Sequence, residues 1–84
     1  MSQTVRVRYY AQLREALKTA SEEVTLEAPL DERGFLELLA GLHPPQRALF
    51  LASRVALADA YAEPGRPLQP LESGVDIISP ISGG

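Results

Sequence analysis

The sequence holds one long helical pattern, and its end is abrupt. Phe35, Leu36, Leu39 and Leu42 recur at the spacing of a single helix face, behind Asp31, whose short carboxylate suits an N-cap. His43-Pro44-Pro45 stops the run, because a residue before proline is pushed out of the right-handed helical region. Gly34 in the first turn costs up to about 1 kcal/mol relative to alanine, so the body of this helix is better defined than its start. An amphipathic helix must bury its apolar face against another layer. In a chain of 84 residues, that layer has to come from the segments on either side.

Those segments alternate. Val5-Arg6-Val7-Arg8-Tyr9-Tyr10 reads as a strand with one buried face, Arg6 and Arg8 sharing the solvent side. Ser21 to Ala28 repeats the pattern around Val24 and Leu26. Between them, Ala11 to Lys18 turns helical, with Leu13 and Leu17 inward and Arg14, Glu15 and Lys18 outward. After the proline pair, Gln46 to Leu51 gives one more helical turn and Val55 to Ala58 a short strand. Asp59-Ala60 is expected as a tight turn, and Tyr61 opens a loop through Glu63-Pro64-Gly65-Arg66-Pro67. Val75 to Ser79 is the last strand. This order predicts an α+β roll, a mixed sheet packed on one main helix, with the first and last strands parallel at its centre. The expected division is a body over 1–79 and a tail over 80–84.

Composition removes several function classes. The chain has no cysteine, which excludes disulfides, thiolate metal sites and a cysteine nucleophile. A net charge of −3 argues against nucleic acid, which needs a clustered cationic footprint. No stretch reaches the roughly 18 apolar residues of a membrane span, so the expectation is a cytoplasmic protein that binds neither membrane nor metal. His43 is the sole histidine, with no partner beside it in sequence, and reads as a loop residue.

The sequence closes on Pro80-Ile81-Ser82-Gly83-Gly84. Glycine has no Cβ, so Gly83 and Gly84 suit a channel too narrow for other residues, with the Gly84 carboxylate at the tip. Extended, Ser79 to Gly84 spans roughly 20 Å. Pro80 fixes φ and limits the freedom lost on docking. Ile81 is read as an anchor for a partner, against packing on the chain's own sheet. Arg6, Arg8 and Arg14 are candidates for the rim of a partner surface, against a solvated strand face for Arg6 and Arg8 and pairing on the helix surface for Arg14. A frayed tail is the bland reading of the whole ending.

Val7-Arg8-Tyr9-Tyr10-Ala11-Gln12-Leu13-Arg14-Glu15 resembles the opening of molybdopterin synthase small subunits, where a strand runs into an Ala-Gln-x-Arg-Glu helix start. Val75 to Gly84 resembles that family's ending, a hydrophobic strand followed by Pro-Pro-Val-Ser-Gly-Gly. Both ends match at the expected separation, and the middle matches in pattern. The departures are Ser79 for the first proline, Ile81 for valine, a turn at Leu71-Glu72-Ser73-Gly74 one residue longer, and Ala58 where asparagine is frequent.

The resemblance implies a ubiquitin-like β-grasp fold and a sulfur carrier that binds no cofactor of its own. An E1-like adenylating enzyme uses ATP to adenylate Gly84, and sulfur from a donor protein replaces AMP to give a thiocarboxylate. The large subunit of molybdopterin synthase then binds the loaded tail, which delivers sulfur to cyclic pyranopterin monophosphate. Alone, such a chain is not a catalyst. The rival readings are a carrier for thiamine thiazole, tRNA thiolation or cysteine, a ubiquitin-like protein modifier, and an adaptor whose glycines are incidental.

Overall fold

The computed structural model describes residues 2–58, 60–69 and 71–80. Strand β1 (Gln3–Tyr9) leads through helix α1 (Ala11–Leu17) to β2 (Ser21–Leu26), and then to the main helix α2 (Glu32–Leu42). A 3-10 turn (Pro44–Gln46) and a short helix α3 (Arg47–Leu51) precede β3 (Arg54–Leu57), β4 (Ala60–Tyr61) and β5 (Val75–Ile78). The five strands form one sheet in the order β2-β1-β5-β3-β4. At its centre β1 and β5 run parallel, with Val7 opposite Val75 and Tyr9 opposite Ile77, as the sequence predicts. The other pairs are antiparallel.

Burial follows the alternation. In β1, Val5, Val7 and Tyr9 are buried, and Val55, Leu57, Val75 and Ile77 continue the same face across the sheet. Phe35, Leu36, Leu39 and Ala40 of α2 close over it, with Phe50 of α3 edge-on to Tyr9 at 6.0 Å between ring centroids. Each of these large side chains contributes about 1.5–3 kcal/mol by leaving water. Leu42 departs from the expected core face at 51% exposure, because the chain turns away at His43 as the helix passes the edge of the core.

The start of α2 is firmer than Gly34 suggests. Asp31 caps it by accepting the Gly34 N–H at 2.8 Å. A Cβ on Gly34 would lie 3.2 Å from Asp31 Oδ1 and 3.3 Å from Leu30 Cδ2, so the absence of a side chain keeps the cap close. The propensity cost is offset by a cap contribution of similar size.

Two expectations near β3 are corrected. Ala60 belongs to a strand and not to a turn, and Tyr61 to the same strand and not to a loop: Ala60 pairs with Leu57, and Tyr61 with Ala56, while Asp59 lies outside the described residues. Ala58 begins the two-residue connection with φ +46°, as tight hairpin turns that match strand twist require. Asparagine tolerates that conformation better than alanine. β2 also ends at Leu26 and not at Ala28, and β5 at Ile78 and not at Ser79.

Candidate functional site

The sheet has a covered face and an open one. On the open face the register lines up Tyr61, Ala56, Asp76 and Arg8 in one row, and Arg54 with Ile78 in the next. Tyr10 follows β1 at the same end as Ile78, because β1 and β5 run parallel. Tyr10 is 40% exposed and Tyr61 58%, while Ile78 and Ala56 between them are half-buried. Two amphipathic aromatics around small apolar side chains make a surface of the kind partners use as anchors.

Every arginine on this face has a carboxylate. Arg8 Nε lies 2.5 Å from Asp76 Oδ1, and Tyr10 donates its hydroxyl to the same oxygen at 3.2 Å. That hydrogen bond, more than the charge behind it, raises Arg8 above the ordinary arginine pKa and leaves it permanently cationic. Arg54 Nε sits 2.8 Å from Glu32 Oε2, and its guanidinium lies 4.9 Å above the Tyr61 ring. Glu32 also accepts the Val55 N–H at 2.8 Å, so α2 closes part of the sheet edge that the short β4 leaves bare. Arg6 meets Glu23 at 3.5 Å in the open, a contact contributing about 0–1 kcal/mol.

Of the three sequence-predicted rim residues, the structure brings Arg6 and Arg8 onto this face and places Arg14 on α1, exposed and outside the sheet. Arg8 does more than line a rim. Its Nη1 donates to the Ser73 carbonyl at 2.8 Å, tying the loop before β5 to β1. Gly74 lies beneath this contact with φ +85°, where a Cβ would stand 2.7 Å from the Arg6 carbonyl and 2.9 Å from Arg8 Nη1. Only glycine allows β5 to begin this close to β1.

At its other end β5 passes into Ser79, buried on the core side, and then Pro80, exposed. The remaining tail positions, Ile81, Ser82, Gly83 and Gly84, lie outside the described residues.

The sequence reading missed a second cluster. His43 is not a plain loop residue: its ring stacks on Phe50 with centroids 5.9 Å apart, and its Nε2 lies 2.6 Å from Glu22 Oε2. Tyr9 donates its hydroxyl to the same carboxylate oxygen. Burial first, and then the bond to Glu22, push the Tyr9 phenol far above its ordinary pKa, so Tyr9 is a neutral donor. A signal was present. Glu22 falls on the same strand face as Val24 and Leu26, and a carboxylate on a core-facing position requires donors.

Among the described residues no group of three or more acidic, histidine or cysteine side chains is arranged to hold a metal, and no helix is long and apolar enough to cross a membrane. A groove of about 610 Å³ runs between Gln3, Leu26 and Pro29 on one side and Leu68, Leu71 and Glu72 on the other. It lies at the end of the sheet where β1 begins, opposite the end where β5 passes into Ser79 and Pro80.

No family model matches the chain, and no curated protein matches it in sequence. Among solved structures it is similar to SAMP1 from Haloferax volcanii, with a TM-score of 0.70 at 18% identity, covering 98% of this chain and 100% of that one. At that identity the likeness speaks to architecture. The mixed five-stranded sheet with its parallel central pair, packed on one main helix, is the ubiquitin-like β-grasp fold.

Proposed function

We propose that this chain is a sulfur carrier whose reactive group is the Gly84 carboxylate, and that it acts as the small subunit of a molybdopterin synthase. The observation that carries the reading is the position of β5. The central strand runs directly into Pro80 and the closing Ile81-Ser82-Gly83-Gly84, beside a charge-balanced face with exposed Tyr10 and Tyr61. A partner enzyme that grips that face has Pro80 beside it, and the residues that follow are the ones proposed to enter its active site. The likeness to SAMP1 supports a ubiquitin-like carrier or modifier in general, and the two end motifs favour molybdopterin.

The chemistry follows from the weakness of a carboxylate as an acyl donor. In an E1-like partner a Gly84 carboxylate oxygen attacks the α-phosphorus of ATP, and pyrophosphate leaves. A sulfide-level sulfur from a donor protein then adds to the acyl carbon, and AMP leaves with the carboxyl oxygen it carries. The product is a thiocarboxylate. Two easier steps replace one hard one. The large synthase subunit accepts the loaded tail and passes sulfur to the pterin precursor. The body contributes binding and aim, and the partners contribute the catalytic groups, in the cytoplasm.

Mass spectrometry of the C-terminal peptide tests this, after incubation with ATP, a sulfur donor and the activating enzyme. Exchange of one oxygen for sulfur at Gly84 is the expected result, absent in Gly84→Ala and in a chain extended by one residue. An isopeptide bond from Gly84 to a foreign lysine would instead make the chain a modifier. Sulfur loading in either variant would contradict the role given to the terminus.

A further inference from the structure

Arg54 turns its guanidinium onto the chain itself. Its Nε donates to Glu32 Oε2 at 2.8 Å, its Nη2 donates to the Ala62 carbonyl at 3.2 Å, and its plane lies over the Tyr61 ring. Glu32 is fixed in turn: its side chain is only 13% exposed, and it accepts the Val55 N–H. A line of contacts therefore runs from the first turn of α2 through Glu32 and Arg54 to an exposed aromatic.

Tyr61 lacks other support. It sits on a two-residue edge strand, held by two ladder pairs and by the Ala62 N–H donated to the Val55 carbonyl at 2.8 Å. An exposed ring in such a place populates several rotamers unless something lies against it. Ala56, its neighbour across the ladder, is too small to do so. The guanidinium does, through cation–π contact.

The position is specific as well. Arg54 pairs with Ile78, the last residue of β5 and two before Pro80. An enzyme that takes up the residues beyond Pro80 must abut this end of the sheet. Arg8 and Arg54 both have carboxylates already, so the surface around Tyr61 requires no opposing charge. A large aromatic is the kind of side chain that carries most of an interface's energy, and one ordered in advance loses less freedom on docking.

We propose that Arg54 is a positioning residue for partner recognition: it holds the Tyr61 ring in place as the anchor for an apolar side chain of the activating enzyme. The inference rests on the carrier reading above. Arg54 touches no reacting atom, so its contribution belongs to binding and appears in KM more than in kcat.

The test measures KM and kcat for the full chain in ATP–pyrophosphate exchange by the activating enzyme, together with each variant's thermal midpoint. Tyr61→Ala is expected to raise KM about 10- to 30-fold with kcat little changed. Arg54→Ala is expected to raise it about three- to tenfold, and to add nothing in a chain that already carries Tyr61→Ala. Arg54→Lys keeps a cation for Glu32 but has no planar fork to lay on the ring. It is expected to hold the wild-type midpoint and still raise KM as Arg54→Ala does, which a merely structural arginine would not. The Tyr61→Ala penalty is expected to be the same at about 50 and 500 mM salt, since an apolar contact is not screened. Arg54→Lys at the wild-type KM, an Arg54→Ala effect undiminished beside Tyr61→Ala, or a Tyr61→Ala penalty that fades with salt overturns this inference alone. A wild type that supports no exchange overturns the carrier reading and this inference with it.

Discussion

The two ends of β5 are built in opposite ways. At its start Gly74 is wedged under β1, Arg8 binds the Ser73 carbonyl, and Asp76 receives both Arg8 and Tyr10. At its finish Ser79 has a buried hydroxyl with no described partner, and Pro80 stands exposed with no N–H to offer. The same four-residue strand is pinned by side-chain contacts where it enters the sheet, whereas among the described residues Ser79 Oγ makes none where it leaves. Such an asymmetry suits the proposed carrier role, in which the end of β5 leads to the group a partner works on.

The contrast can be broken most severely at Gly74. In Gly74→Ala a methyl is forced against the Arg6 carbonyl in a left-handed backbone conformation, and the expected loss is about 2–4 kcal/mol by denaturant unfolding. A loss below about 1 kcal/mol would show that β5 is not held at its start as described. Arg8→Ala removes the second pin and leaves the half-buried Asp76 without its cation, for an expected loss of about 1–2 kcal/mol. Pro80→Ala at the far end is expected to shift stability by no more than about 0.5 kcal/mol. If Pro80→Ala matched Arg8→Ala, the two ends would be equally held and the comparison would collapse.

Tyr9 offers a pH measurement on the strand that β5 pairs with. Its phenol is raised by burial and by Glu22, so the folded chain keeps a proton that the unfolded chain releases near pH 10. This contribution is fully present below pH 10 and is lost as pH rises further, because the folded state then binds more protons than the unfolded. Wild type should therefore lose about 1.4 kcal/mol per pH unit above pH 10 that Tyr9→Phe does not. Parallel stability curves for the two proteins in that range would mean that burial and the Glu22 bond do not hold the Tyr9 proton.

The features legible in sequence were local or periodic. The apolar run of Phe35, Leu36 and Leu39, closed by His43-Pro44-Pro45, locates the main helix, the apolar patterns around Val7 and Ile77 locate the first and last strands, and the order of elements suggests their parallel pairing. β4 escaped notice because two residues, Ala60 and Tyr61, are too short to show a period and are strand only through Ala56 and Leu57. The role of His43 is not legible in the sequence, because Glu22 is distant along the chain and meets it only once α2 closes over the sheet. The proposed tip, Gly83-Gly84, is read from the sequence alone and lies outside the described residues, and the support of β5 was not legible in the sequence. That Arg8 is tied to Ser73 and Asp76, and that Gly74 must be glycine, depends on how closely β5 begins under β1.

The central claim is that the Gly84 carboxyl is the group a partner enzyme activates. The most direct measurement is ATP–pyrophosphate exchange by the activating enzyme in the presence of the full chain or of a chain truncated after Ser82. The account predicts exchange with the full chain and none with the truncated one, both chains having the same thermal midpoint. Equal exchange with the two would contradict it.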